Sequence, residues 1–228
     1  MSIQVRLPDD SVRQLPDGAT GTTLAESIGP RLAEAAFGVR LDGGRLLDLG
    51  TPLQDGQKVA IVTSKDPEAL DLLRHSTAHL LAQAVKRLFP DAKVGIGPTI
   101  EDGFYYDFLV EKAFTPEDLE SIEAEMRRIS AENLPVVREE MPRNAAVERF
   151  RAMGEQLKVE VVSDIPEGEI ISGYRQGDFY DLCRGPHVPA TGKLKAFKLL
   201  HTAGAYWKGD ERNPMLCRIY GTAWFTQK

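Results

Sequence analysis

The chain has 228 residues, with 28 Lys and Arg against 34 Asp and Glu, and a formal net charge of −6 at pH 7. With 42% hydrophobic and 27% charged residues it holds enough apolar surface for a core, which excludes an intrinsically disordered chain. No run of about 18 apolar residues occurs, so no membrane partner is expected. The net acidity argues against non-specific coating of nucleic acid and still allows a local basic groove.

Ile3, Val5 and Leu7 alternate with polar residues, the pattern of a strand and not of a signal peptide. Asp9, Asp10 and Ser11 turn the chain, and residues 12–15 return as a second strand that breaks at Pro16-Asp17-Gly18. Thr23 with Glu26 three residues on predicts a capping box. The helix it opens carries Leu24, Ile28, Leu32 and Ala36 on one stripe, with a kink or break at Gly29-Pro30 and a stop at Gly38. Short strands follow at 39–41, 45–49 and 59–62. This β-β-α-β-β order predicts a small β-grasp (ubiquitin-like) domain over residues 1–64. It carries no set of catalytic groups and reads as a recognition or docking unit.

The seam is expected at residues 64–68, and residues 65–228 predict an α+β domain of antiparallel sheet with flanking helices. A helix over 67–89 follows from Leu70, Leu73, Leu80, Ala84 and Leu88, and Pro90 ends it. Residues 94–110 read as strands with a tight turn at Glu101-Asp102-Gly103. Thr115-Pro116-Glu117-Asp118 is a helix start, with a cap, a first-turn proline and acids at the positive end of the dipole. Residues 135–141 look extended, 144–153 form a short helix closed by Gly154, and 158–162 fit no single period. Residues 170–174 and 179–182 read as a hairpin around Gln176-Gly177-Asp178.

Three stretches carry chemistry. On a helix, His75 and His79 share one face. Their spacing is that of a zinc protease, but Ser76 stands where the catalytic glutamate would be, which disfavours that reading. In Asp181-Leu182-Cys183-Arg184-Gly185-Pro186-His187 a strand end runs into a loop. The two stretches together offer three imidazoles and one thiol. Zinc held by one thiolate and three imidazoles is chemically reasonable; the alternative is a thiol buried as a small hydrophobe. A single polar pocket able to orient water is the better reading of the clustering. Val94-Gly95-Ile96-Gly97-Pro98 lacks the third glycine of a dinucleotide loop and reads as a turn. No phosphate-binding P-loop is present. The third stretch, residues 193–208, interleaves Lys193, Lys195, Lys198 and Lys208 with Phe197, Tyr206 and Trp207 and holds no acid. That composition suits a single-stranded nucleic-acid end; the alternative is a solvated strand edge with its aromatics in the core.

Taken together, His75-Ser76-Thr77-Ala78-His79, Gly97-Pro98, Gly103-Phe104-Tyr105-Tyr106-Asp107, Asp181-Leu182-Cys183-Arg184-Gly185-Pro186-His187-Val188 and Thr202-Ala203-Gly204-Ala205-Tyr206-Trp207 resemble the amino-terminal half of bacterial threonyl-tRNA synthetase. The resemblance covers the whole chain: residues 1–64 resemble its TGS domain and residues 65–228 its editing domain. It implies a cytoplasmic enzyme that hydrolyses mischarged seryl-tRNA(Thr). Its partner would be the acceptor end of tRNA(Thr) carrying serine, beside an aminoacylation core and an anticodon-binding domain beyond residue 228. By the same resemblance His75, His79, His187 and Lys158 would be catalytic. Tyr106, Asp181, Cys183 and Gly97 would bind substrate. Lys193, Lys195, Lys198, Tyr206 and Trp207 remain the candidate nucleic-acid contacts. Related alanyl-type editing domains bind zinc with a similar donor set, whereas the threonyl type is described without a metal, so no cofactor is expected. Two other classes stay open, a zinc-dependent hydrolase of a small ester or amide and a non-catalytic tRNA-docking module.

Overall fold

The computed structural model describes residues 2–226. The amino-terminal unit opens with β1 (Ser2–Arg6) and β2 (Val12–Pro16), an antiparallel hairpin that buries Ile3, Val5 and Leu15 on one face. Helices α1 (Gly21–Ile28) and α2 (Pro30–Ala35) follow, separated at Gly29 as the Gly-Pro pair predicts. The cap is Thr20 and not Thr23: Thr23 takes the third helical position and its hydroxyl accepts from the Thr20 backbone N–H. The expected four-residue stripe is also cut short, because the break leaves Ile28 exposed and the chain enters β3 (Ala36–Leu41) directly at Ala36. Gly38 therefore sits inside a strand. A Cβ there would lie 2.9 Å from the Leu47 carbonyl oxygen, so glycine lets β3 and β4 (Leu46–Asp48) approach.

With β5 (Val59–Thr63) these strands form an antiparallel sheet in the order β4-β3-β5. A parallel bridge from Arg6 to Lys58 brings the first and last strands side by side, as a β-grasp requires. The unit has its own core around Val5, Leu24, Val39 and Leu53.

Helix α3 (Glu68–Leu88) is the spine of the remainder. It packs on β8 (Gly103–Leu109) and β13 (Met215–Trp224). In chain order the other elements are β6 (Lys93–Val94), β7 (Thr99–Ile100), α4 (Pro116–Glu132), β9 (Val136–Met141), α5 (Arg143–Ala152), α6 (Gln156–Asp164), β10 (Ile171–Gln176), β11 (Phe179–Leu182) and β12 (Ala196–Tyr206). One antiparallel sheet runs β12-β13-β8-β6 with β7 on β8, and a second runs β11-β10-β9. Leu73, Leu80 and Leu81 of α3, Ile122 and Met126 of α4, and Phe104, Phe108 and Ile219 of the sheet build the main core. Thr115 and Asp118 close a capping box at the start of α4. Residues 158–162, without a clear period in the sequence, lie in α6 because Leu157, Val159 and Val162 bury against neighbouring elements while Lys158 turns inward.

The pairing of β8 with β13 depends on a close backbone approach at Gly103, where any Cβ would overlap the Gly221 carbonyl oxygen. Gly103→Ala is expected to destabilise the chain by about 1–3 kcal/mol, measured as a fall in the urea unfolding midpoint.

Candidate active site

Four elements meet at one point. Helix α3 supplies His75 and His79, one turn apart, with rings 5.5 Å centre to centre. The loop after β11 supplies Cys183 and His187, and the His187 ring lies 4.4 Å from that of His75 and 4.2 Å from that of His79. The donor atoms of His75, His79, Cys183 and His187 all lie within 4.8 Å of one another. The two stretches singled out in the sequence therefore form one cluster, a set that could hold a metal ion.

Beneath the cluster lies a charged floor. Lys158 Nζ, on α6, sits 2.5 Å from Asp181 Oδ1 as an ion pair and donates to the Tyr106 hydroxyl at 3.1 Å. The Tyr106 hydroxyl in turn donates to Asp181 Oδ2. Lys158 is 2% exposed and Asp181 1%. Asp181 Oδ1 has the Lys158 ammonium as its one close polar partner among the described residues. Helix α6 is anchored through buried Glu155, which accepts from the Val94 backbone N–H at 2.9 Å and pairs with Lys86 at 2.8 Å. A lone buried charge would be costly, and pairing makes this arrangement tenable.

Burial sets the protonation of the cluster. It lowers the His75 imidazole and holds those of His79 and His187 well below the ordinary value; the crowding of the imidazoles adds to the effect on the last two, and Lys158 adds to it on His79. Burial also pushes the Cys183 thiol up to about 12, so the sulfur is a neutral thiol and not a thiolate nucleophile. The Tyr106 phenol is raised by burial and by the Asp181 charge.

The tautomer of His187 follows from counting protons. Ser76 Oγ donates its only proton to the Leu72 carbonyl at 2.8 Å and accepts from the Val188 N–H at 3.0 Å. The contact of 3.2 Å between Ser76 Oγ and His187 Nδ1 is then a bond donated by the imidazole. His187 Nε2 is left with a lone pair facing Cys183 Sγ at 3.3 Å. Cys183 Sγ also lies 3.1 Å from His75 Nε2 and accepts from the Gly185 N–H at 3.3 Å. His75 and Cys183 are half-buried and line the open side; His79 and His187 are buried.

Ser76 enters the sequence reading only as a departure from the protease motif, and here it holds His187. Asp48, on the amino-terminal unit, carries no local signal in the sequence, yet its carboxylate accepts from the His187 backbone N–H at 2.8 Å and from the Tyr174 hydroxyl at 2.7 Å. Gly97 lies against the Tyr106 ring, which any Cβ there would overlap, so its visible task is to admit that ring.

The basic strand needs correction. Trp207 is 3% exposed, packs with Leu157 and Leu216, and donates its indole N–H to Glu160 at 2.8 Å, so its ring is not a platform for a base. Lys193 donates to the Glu34 carbonyl, and Lys198 pairs with Glu123 at 3.2 Å. Acids absent from residues 193–208 come in from elsewhere in the chain. Lys195, Lys198 and Tyr206 remain exposed.

Two family models match the sequence: the TGS domain over residues 3–63, and the threonyl and alanyl tRNA synthetase second additional domain over residues 171–220. The chain thus joins two domains of aminoacyl-tRNA synthetases, the first with a ubiquitin-like fold. More narrowly, it corresponds to the amino-terminal region of threonine--tRNA ligases. The ligases of Methylococcus capsulatus and Acidithiobacillus ferrooxidans are each 58% identical to it over 224 residues, 98% of this chain and 35% of theirs. That of Anoxybacillus flavithermus is 53% identical over 226 residues, 99% of this chain and 35% of its own length. The chain spans about a third, and not half, of the relatives it matches.

Two outcomes follow from the cluster. Because His79 and His187 resist protonation when folded and titrate near 6.5 when unfolded, the unfolded state takes up protons first as the pH falls. The stability of the metal-free protein is then full above about pH 6.5 and declines below it, by up to about 1.4 kcal/mol per pH unit for each imidazole. Urea titrations between about pH 7 and pH 5 measure this. Ser76→Ala strands the Val188 N–H and is expected to cost about 1–3 kcal/mol and to shift the imidazole resonances of His187.

Proposed function

We propose that the chain hydrolyses the ester that links a wrongly attached serine to tRNA(Thr), releasing serine and free tRNA(Thr). The observation that carries this reading is the convergence of three neutral imidazoles and a thiol above a buried Lys158–Asp181 pair, in a sequence that matches the amino-terminal region of threonine--tRNA ligases. Serine lacks one methyl of threonine, and a binding site separates two such side chains by only about 1–3 kcal/mol, so a second pocket that admits serine alone restores accuracy. On this reading residues 1–64 and 65–228 are separate TGS and editing domains of a cytoplasmic enzyme. The aminoacylation core and anticodon-binding domain of the longer relatives are its covalent partners.

His75, at the open side, orients the attacking water and accepts its proton; a neutral imidazole is suited to that task. Lys158 supplies fixed positive charge below the reacting ester, helping to stabilise the developing oxyanion and the leaving ribose oxygen. Asp181 receives the serine ammonium and His187 the serine hydroxyl. His79 packs between them, and Cys183 shapes the pocket without attacking. Lys195 and Tyr206 meet the RNA strand.

A zinc-dependent hydrolase is a second reading, favoured by the four converging donors. His75, His79, His187 and Cys183 would hold the ion, which would supply a Lewis acid and an activated water. The most distant donors, up to 4.8 Å apart, would have to approach to the roughly 3.5 Å of a tetrahedral zinc site.

The test is deacylation of seryl-tRNA(Thr) beside threonyl-tRNA(Thr), with and without chelator. Selective loss of serine that withstands chelation is expected, together with a fall in kcat of on the order of 100-fold or more for His75→Ala. Lys158→Ala should be equally slow; because it leaves Asp181 buried without its partner, its folding is checked by circular dichroism. Cys183→Ser should keep most activity. Wild-type rates in both the His75 and Lys158 variants sink the assignment, loss to chelator supports zinc, and tRNA binding without deacylation supports a docking module.

A further inference from the structure

The hydrolytic loop is held from outside its own domain. Residues 183–187 carry both Cys183 and His187; Ser172 holds the Cys183 end, and three contacts fix the His187 end. Ser76 anchors the imidazole of His187 from α3. The Tyr174 ring lies 4.3 Å from the His187 ring, edge to face, and fills the space that a side chain at Gly185 would need. Asp48, at the end of β4 in the TGS domain, completes the brace. One carboxylate oxygen takes the His187 backbone N–H at 2.8 Å and the other takes the Tyr174 hydroxyl at 2.7 Å. Asp48 and His187 both line a cleft of about 550 Å³ between the two units, with Thr22, Pro52, Arg138 and Glu140 on its other sides.

We infer that Asp48 is a positioning residue of the hydrolytic site, contributed by the TGS domain. This rests on the ester hydrolysis proposed above. Asp48 touches no reacting atom. It sets the backbone of His187 directly and the ring through Tyr174, and the β4 strand that carries it is tied to β3. Burial raises the Asp48 carboxyl above its ordinary value, and the hydrogen bonds from the His187 N–H and the Tyr174 hydroxyl oppose that shift. A carboxylate that accepts bonds from two chain segments fixes them relative to each other, and a misplacement of about 1 Å at a reacting centre can cost on the order of 100-fold in rate. The TGS domain then does more than dock: it supplies part of the active-site wall.

The experiment compares wild type, Asp48→Ala, Asp48→Asn and Tyr174→Phe in the full chain. It reads kcat and KM for seryl-tRNA(Thr) and, separately, hydrogen exchange at the His187 amide. Asp48→Ala should lower kcat on the order of 10- to 100-fold, with KM within about twofold, and should speed exchange at that amide. Asn should restore most of kcat, because its oxygen still accepts from His187 and its amide donates to the Tyr174 hydroxyl. Tyr174→Phe, which removes one hydroxyl, should give a smaller fall in kcat without unfolding. Wild-type kcat and an unchanged His187 amide in Asp48→Ala would overturn the inference, as would an Asn variant as slow as Ala. If the wild-type chain does not deacylate while Asp48→Ala still loosens the His187 amide, the hydrolytic reading fails and the interdomain brace stands.

Discussion

A buried cluster in which polar groups satisfy one another governs this structure. Lys158, Asp181 and Tyr106 lie buried together and exchange contacts within the trio. Three imidazoles and a thiol sit above them, kept neutral by the same loss of water. Charging an imidazole would place a cation in a poorly solvated site, and for His79 beside Lys158 as well. The neutral state is therefore built into the packing, and it is the state in which an imidazole can take a proton from water.

The architecture follows from holding that pocket together. The inner face of the antiparallel sheet presents Tyr106, the end of β11 presents Asp181, and α6 brings Lys158 in from the side. Helix α3 lays its histidine face over the loop and its leucine face into the main core, so one element joins stability to chemistry. The loop itself has no regular hydrogen-bond ladder. Ser76, Ser172, Tyr174 and Asp48 hold it instead, the last from a unit with a separate core.

Residues 193–208 show how little local composition says about the charges that surround a segment. Four lysines and three aromatics without an acid read as a strand awaiting an anionic partner. Folding brings Glu123 to Lys198, Asp164 to Lys208, the Glu34 carbonyl to Lys193 and Glu160 to the Trp207 indole. A segment's own charge does not measure its field, because partners distant in sequence arrive with the neighbouring strands and helices.

Local sequence determined much that depends only on neighbours along the chain. The break at Gly29-Pro30, the capped start of α4, the hairpin of β10 and β11, and the shared face of His75 and His79 are short-range consequences of backbone sterics, hydrogen bonding and helical spacing. The two stretches that hold His75, His79, Cys183 and His187 were legible as motifs, whereas Lys158 entered only through the family resemblance. Tertiary structure alone decided what lies between them. It moved the first cap to Thr20, made a helix of residues 156–164 by burying one side of it, and withdrew Trp207 into a core. It also gave Ser76 a partner 111 residues away and Asp48 one 139 residues away. Those contacts arise when separate elements exclude water from the same small volume, and no spacing along the chain encodes which donor will then meet which acceptor.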